Sequence, residues 1–270
     1  MRKHLQNIVL LSIVIISFIM HYQHFSKDII SIHSWRQTQT QSTINNFYEE
    51  NMNILNPRRN DRGNSDGIFR MEFPLMQWLV AGSYYVFGKS ILVTRLFMFG
   101  IGLLSVLGMY KLLLILFKKE ILAIIGAWAF NFSPSFFYYT INPLPDNLAL
   151  CSAIWGLVMF FKWTESNKTK QLILCGILLS IGVLCKLPFI LYFILPTVYL
   201  LRNIFRGQQY KKNVLQGALV FMSLLFPLIW YITVIPEWEG NGIVSGMLDN
   251  SINFSTLVDY LIHNLISTLP

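Results

Sequence analysis

The stretch PLMQWLVAGSYYVF, residues 74–87, decides how often this chain crosses a membrane. It is apolar along nearly its whole length, yet shorter than the ~20 residues a spanning helix needs. Basic residues beside spans collect on the cytoplasmic side, so the Lys and Arg clusters settle the question. We start with Arg2 and Lys3 inside. If 74–87 does not span, Lys118 and Lys119, then Lys162, Lys168 and Lys170, then Arg202, Arg206, Lys211 and Lys212 all fall inside. If it spans, those clusters move outside. The run is therefore predicted as an interfacial or re-entrant helix. The other apolar runs, 5–22, 94–117, 121–140, 147–163, 171–185, 187–201 and 214–235, give about seven transmembrane helices. Two of these are short, 171–185 and 187–201, and read as a hairpin turning at Lys186-Leu187-Pro188.

The predicted class is thus an all-α polytopic membrane protein. Composition agrees: 54% of residues are hydrophobic and 13% charged, against about a quarter charged in a soluble domain. The net charge of +8 sits between apolar runs, where it sets topology, and gives no reason to expect nucleic acid. Cys151, Cys175 and Cys185 lie inside apolar runs and read as packed membrane cysteines. The basic, apolar N-terminus lacks a small-residue cleavage site and reads as an uncleaved anchor. Residues 1–235 form the expected membrane module, with interfacial helices in a first outer loop at 23–93. Residues 236–270 are expected as an outer-face segment.

With this topology most acids face outward, among them Asp28, Glu49, Glu50, Asp61, Glu72 and Asp146. Solvated loops account for most of them. In the first outer loop, HSWRQTQTQS at 33–42 offers one cation, one aromatic face and several neutral hydrogen bonders. Ser34 and Gln37 fit a capping box, so a helix is predicted from Trp35 to about Glu50. Ile44, Phe47, Tyr48 and Met52 would face the bilayer or other spans. A strand over the alternating Gln/Thr run has no partner in view. Trp35, Arg36, Gln37 and Gln39 together suit a sugar and a phosphate: Trp stacks on a sugar face, Gln matches hydroxyls, and guanidinium binds phosphate oxygens.

Arg58, Arg59 and Arg62 follow in a turn-rich loop, where head groups or water are the ordinary partners. Arg70 and Glu72 precede the 74–87 helix, and a carboxylate there gains from the helix dipole. A functional carboxylate at a lipid–water boundary weighs about equally. Asp146 suits an N-cap, a site acid, or both. For Lys186, snorkelling to the interface stands beside contact with a lipid-linked phosphate.

Several of these segments resemble one family. H-S-W-R-Q-T-Q-T at 33–40, N-x-x-N-P-R at 53–58, E-F-P-L-M-Q-W-L-V-A-G at 72–82, T-R-L at 94–96, P-L-P-D-N-L-A-L at 143–150 and L-C-K-L-P at 184–188 run in the order seen in bacterial membrane glycosyltransferases of the C-type fold. These are distant relatives of protein O-mannosyltransferases and lipid A aminoarabinose transferases. The resemblance implies a hexosyl or pentosyl transferase at the outer face of the bacterial inner membrane. It would move a sugar from a polyprenyl-phosphate donor to a glycan, lipid or protein acceptor among membrane lipids. It also implies substrate binding by His33, Trp35, Arg36, Gln37, Gln39, Arg58, Arg59, Arg70 and Lys186.

Two departures matter. Relatives often read W-R-Q-x-D-T, and this chain has Gln39 where that Asp would stand. Gln cannot act as a base, so the catalytic acids expected are Glu72 first, Asp146 second and Asp28 a distant third. Relatives also continue for several more spans, whereas this sequence reaches Pro270 as leucines at 257, 261 and 265 begin an apolar pattern. A truncated C-terminal region is the corresponding expectation. No cofactor is required by the motifs. Such folds allow a divalent metal at Asp146, but no second ligand stands at useful spacing. The rival functions are a lipid-linked glycan polymerase or flippase and a non-catalytic accessory subunit.

Overall fold

A computed structural model of the chain describes residues 2–29, 32–60, 65–206, 210–238 and 262. Among the described residues there are ten α-helices and no strand. They are α1 Arg2–His21, α2 Ser34–Glu49, α3 Leu75–Phe87, α4 Ile91–Phe117, α5 Glu120–Asn131, α6 Pro134–Tyr139, α7 Pro145–Ser166, α8 Thr169–Cys185, α9 Ile194–Phe205 and α10 Tyr210–Val234. Residues 1–231 form one compact unit. In the second unit, 232–270, the described part is the end of α10, the 3-10 turn Ile235–Trp238 and Ile262. Asp61, Arg62 and the leucines at 257, 261 and 265 lie outside the described residues.

The protein is a multi-pass membrane protein. Ile91–Phe117, Pro145–Ser166, Leu187–Phe205 and Lys211–Trp238 are long and apolar enough to cross a bilayer. Val9–His24, Glu120–Asn131 and Thr169–Cys185 are shorter apolar helices at three other predicted spans. The run 121–140 is not one helix. It breaks after Asn131 and restarts at Pro134, whose ring and missing N–H cannot continue a helix.

Side-chain contacts show which helix ends lie together. Arg95 meets Asn142, and Gly108 lies against Ile154 and Trp155, so α4 and α7 run the same way. His21 touches Phe137 while Ile13 packs with Val106 and Ala127, so α1 runs opposite to α4. Asp146 meets Lys186, which makes α7 and α8 antiparallel. Tyr199 packs on Phe160 and Trp163, so the chain returns along α7 after Lys186. One end of the bundle therefore carries Arg95, Asp146 and Lys186. The opposite end carries Lys118, Lys119, Lys168 and Lys170.

Glycines permit these close approaches. A Cβ on Gly108 would lie 2.9 Å from Ile154, and one on Gly156 would lie 2.6 Å from Leu179. Small residues at such crossings let membrane helices gain packing where burial from water offers little. Cys151, Cys175 and Cys185 are buried and free.

Helix α3, 13 residues long, packs against α2 and α4. Ile44 and Phe47 of α2 share a core with Met76, Val80, Tyr84 and Met98, so their apolar stripe meets protein, not bilayer. The start of α2 differs from the predicted capping box. Ser34 is its first residue and His33 its cap, in the left-handed region with φ 56° and no side-chain cap bond. Gln37 instead donates to Ile32 O at 3.0 Å.

Candidate active site at one end of the bundle

Four local structures converge at the Asp146 end. The first turn of α2 supplies His33, Trp35 and Arg36. The segment before α3 supplies Glu72. The first turn of α7 supplies Asp146, and the C-terminus of α8 supplies Lys186.

Backbone bonds fix this arrangement. Phe73 N donates to Leu184 O at 2.9 Å, which ties the Glu72 segment to the end of α8. Trp230 Nε1 donates to Met71 O at 3.0 Å, and Tyr231 OH donates to Leu184 O at 3.1 Å. Helix ends leave carbonyls without intrahelical partners, and Phe73 and Tyr231 satisfy that of Leu184 at the end of α8. The loop between α2 and α3 is held to both helices as well: Asn46 Nδ2 donates to Arg58 O at 3.0 Å, and Trp78 Nε1 to Met52 O at 2.9 Å.

Two adjoining cavities result. The larger, about 630 Å³, is lined by His33, Trp35, Arg36, Tyr139, Asp146 and Lys186, with Phe189 and Leu144 among its apolar walls. The smaller, about 30 Å³, is lined by Arg36, Gln39, Arg59, Glu72 and Gln77 among others. Arg36 lines both. Its guanidinium is paired with Glu72 Oε1, whose side chain is only 9% exposed. Lys186 Nζ lies 3.5 Å from Asp146 Oδ2, and both are open to the larger cavity.

Neither acid is a helix cap. Leu144 occupies the cap position of α7 and Pro74 that of α3, each without a side-chain cap bond. Asp146 sits one residue inside α7 and still gains from its dipole. Lys186 is an ion-pair partner of Asp146.

His33 Nδ1 meets Tyr139 OH at 2.8 Å, and the rings stack at 6.0 Å. Trp35 is exposed at the cavity mouth. Gln37 is buried and turned to backbone, so it lines neither cavity. Arg59 lies over the Phe69 ring, 3.4 Å from its centre. Arg58 pairs with Glu50 at 3.1 Å, and Arg70 donates to Leu55 O and Asn56 Oδ1, each at 2.7 Å. Those two shape the loop instead of lining a cavity. Asp28 belongs to a separate cavity with Arg95. Among the described residues no group of three His, Cys, Asp or Glu is placed to hold a metal ion, and no step is assigned to one.

Tyr139, Asn147 and Phe189 line the larger cavity without having been singled out in the sequence. Pro134 within an apolar run was the available signal, because a broken helix turns backbone and aromatic side chains toward a cavity.

The fold and its cavities define a membrane protein that presents a cationic and carboxylate-bearing site at one end of a helical bundle. A family model described as dolichyl-phosphate-mannose-protein mannosyltransferase matches residues 72–231, from Glu72 itself to Tyr231 in α10. The chain belongs to that family, a group of C-type-fold membrane glycosyltransferases that use lipid-linked sugar donors. No curated protein and no solved structure matches significantly. The match includes Glu72, Asp146 and Lys186, while the α2 cassette precedes it.

Proposed function

We propose that the protein transfers a sugar from a polyprenyl-phosphate donor to a glycan, lipid or protein hydroxyl at the outer face of the bacterial inner membrane. The arrangement of Arg36 between two cavities carries this reading. The larger cavity has room and cations for a sugar phosphate: Trp35 faces the sugar, and Lys186 with Arg36 face the phosphate. The smaller admits little more than one hydroxyl or water beside Glu72.

In the reaction, the acceptor oxygen attacks the anomeric carbon while Glu72 takes its proton. The bond from that carbon to the phosphate oxygen breaks, and polyprenyl phosphate leaves with the electron pair. Lys186 and Arg36 stabilise the charge that grows on the phosphate. A single displacement inverts the anomeric carbon. Asp146 holds Lys186 in place. A second assignment makes Asp146 the base, because it lines the larger cavity and Glu72 does not.

The outward face rests on charge. Lys118, Lys119, Lys168 and Lys170 gather at the far end of the bundle, and such residues face the cytoplasm. The test is transfer of a radiolabelled sugar from polyprenyl phosphate to membrane extract by purified protein in lipid. Transfer abolished by Glu72→Gln and retained by Asp146→Asn supports the first assignment; the reverse supports the second. Donor binding without transfer by the unmutated chain would identify an accessory subunit, and movement of intact donor across the bilayer a flippase.

A further inference from the structure

A separate cavity of about 360 Å³ lies where the end of α1, the start of α4 and α6 meet. Its polar lining is His21, His24, Lys27, Asp28, Arg95, Asn142 and Tyr138; Phe137 and Ile141 supply apolar wall. None of these residues lines the proposed transfer site.

Arg95 is 5% exposed, yet its hydrogen bonds go to neutral oxygens. Nε donates to Lys27 O at 3.2 Å, one terminal nitrogen to Asn142 Oδ1 at 2.8 Å, and the other to Asp28 O at 3.2 Å. Guanidinium has five N–H groups, so two remain beyond these three. A buried cation is stable when its charge is answered; Asp28 is the acid beside it, yet no carboxylate lies within ion-pair distance among the described residues. His21 also faces two carbonyls, Ser17 O at 2.8 Å and Phe137 O at 3.0 Å. Lys27 and His24 are exposed at the rim. Asp28 is the single carboxylate in the lining.

We infer that this cavity binds a phosphate group, with Arg95 and Lys27 as its cations and Phe137 and Ile141 against whatever apolar part it carries. Guanidinium offers paired N–H donors to phosphate oxygens, and a lysine at the rim adds a second charge. The phosphate comes either from the headgroup of an anionic membrane lipid or from free phosphate. This site stands independently of the transfer reaction, and its test needs no transfer.

The purified full chain is placed in nanodiscs of phosphatidylcholine, of phosphatidylcholine with phosphatidic acid, and of phosphatidylcholine with added inorganic phosphate. Melting temperature and lipid retained in native mass spectrometry are read. Phosphatidic acid is expected to raise the melting temperature and remain bound. Lys27→Ala should weaken this binding severalfold, and Lys27→Glu about tenfold or more, a change of about 1.4 kcal/mol. Lys168→Ala, in the turn between α7 and α8 at the opposite end, should leave it intact. Protection by inorganic phosphate alone assigns a free phosphate, and protection by phosphatidic acid alone assigns a headgroup. Because Lys27 is exposed, its variants should fold even where Arg95→Ala does not. No protection of the unmutated chain, or equal protection of the Lys27→Glu variant, would overturn the proposal.

Discussion

Arg36 and Glu72, thirty-six positions apart, close an ion pair at the wall between the two cavities. Glu72 is the more buried partner, at 9% against 20% side-chain exposure. Removing the cation leaves a carboxylate shielded from water, a change that costs roughly 1–3 kcal/mol. Arg36→Ala should therefore lower both thermal stability and transfer. Arg36→Lys should recover stability better than transfer, since an ammonium cannot reproduce the planar fork that serves carboxylate and phosphate. Melting temperature and initial rates on the two variants check this.

Glu72→Gln keeps shape and hydrogen bonding but removes the proton acceptor. Loss of a general base costs about 10²–10⁴-fold in rate. We expect that loss in kcat with donor affinity changed little, measured by turnover and by donor binding on the same preparation. A rate within a few-fold of the unmutated protein would exclude Glu72 as base.

Lys186 should act on the donor. Lys186→Ala removes the cation that Asp146 holds and that faces the larger cavity. In the proposed reaction its charge meets the donor's phosphate in both ground and transition states, so KM for donor should rise and kcat fall, together about 10–100-fold in kcat/KM. Stability should change little, since the pair is partly exposed. A normal donor KM in this variant would move the phosphate elsewhere.

The spans were legible because hydropathy is a property of composition, and a run such as 94–117 leaves few alternatives to α4. The break in 121–140 was legible only in part, as Pro134 inside an apolar run. Two other features depend on partners the local sequence does not name. Gln37, Thr40 and Thr43 look like a solvated helix face, yet all three are buried, with their side chains bonded to backbone oxygens. Ser34-x-x-Gln37 has the letters of a capping box, but His33 takes the left-handed cap position and Gln37 bonds backward to Ile32. At the site, the acids could be proposed one by one. Pairing Glu72 with Arg36 and Asp146 with Lys186 depends on tertiary packing that local sequence does not name.

Helix packing gives a prediction independent of chemistry. Gly156 faces Leu179 so closely that an added Cβ would sit 2.6 Å from the Leu179 Cδ2 atom and 3.4 Å from its backbone nitrogen. The Cδ2 end can swing aside, but Leu179 Cγ at 2.9 Å must also give, so Gly156→Ala should cost about 1–3 kcal/mol as overpacking, and Gly156→Val more. By contrast, Gly82 has nothing within 4 Å of its added Cβ, and its φ raises no objection. Gly82→Ala lies in the middle of α3 and should be neutral or stabilising by up to about 1 kcal/mol through helix propensity. Thermal melts of the three variants in one detergent test the pairing of α7 with α8. A Gly156→Val variant as stable as the unmutated protein would contradict it.

Topology is the last and cheapest test. Ser65 lies in the loop on the Asp146 end, and Lys168 lies in the turn between α7 and α8 at the opposite end. The native cysteines are buried, so background labelling should be low. In intact cells, Ser65→Cys should react with a membrane-impermeant maleimide and Lys168→Cys should not; after permeabilisation both should react. The direction follows from Lys118, Lys119, Lys168 and Lys170 sharing one end, because basic residues in short loops are retained in the cytoplasm. Labelling of Lys168→Cys alone in intact cells would invert the protein. The carboxylates of the site would then face the cytoplasm, and the proposed outer-face transfer would fail while the packing of the bundle stood.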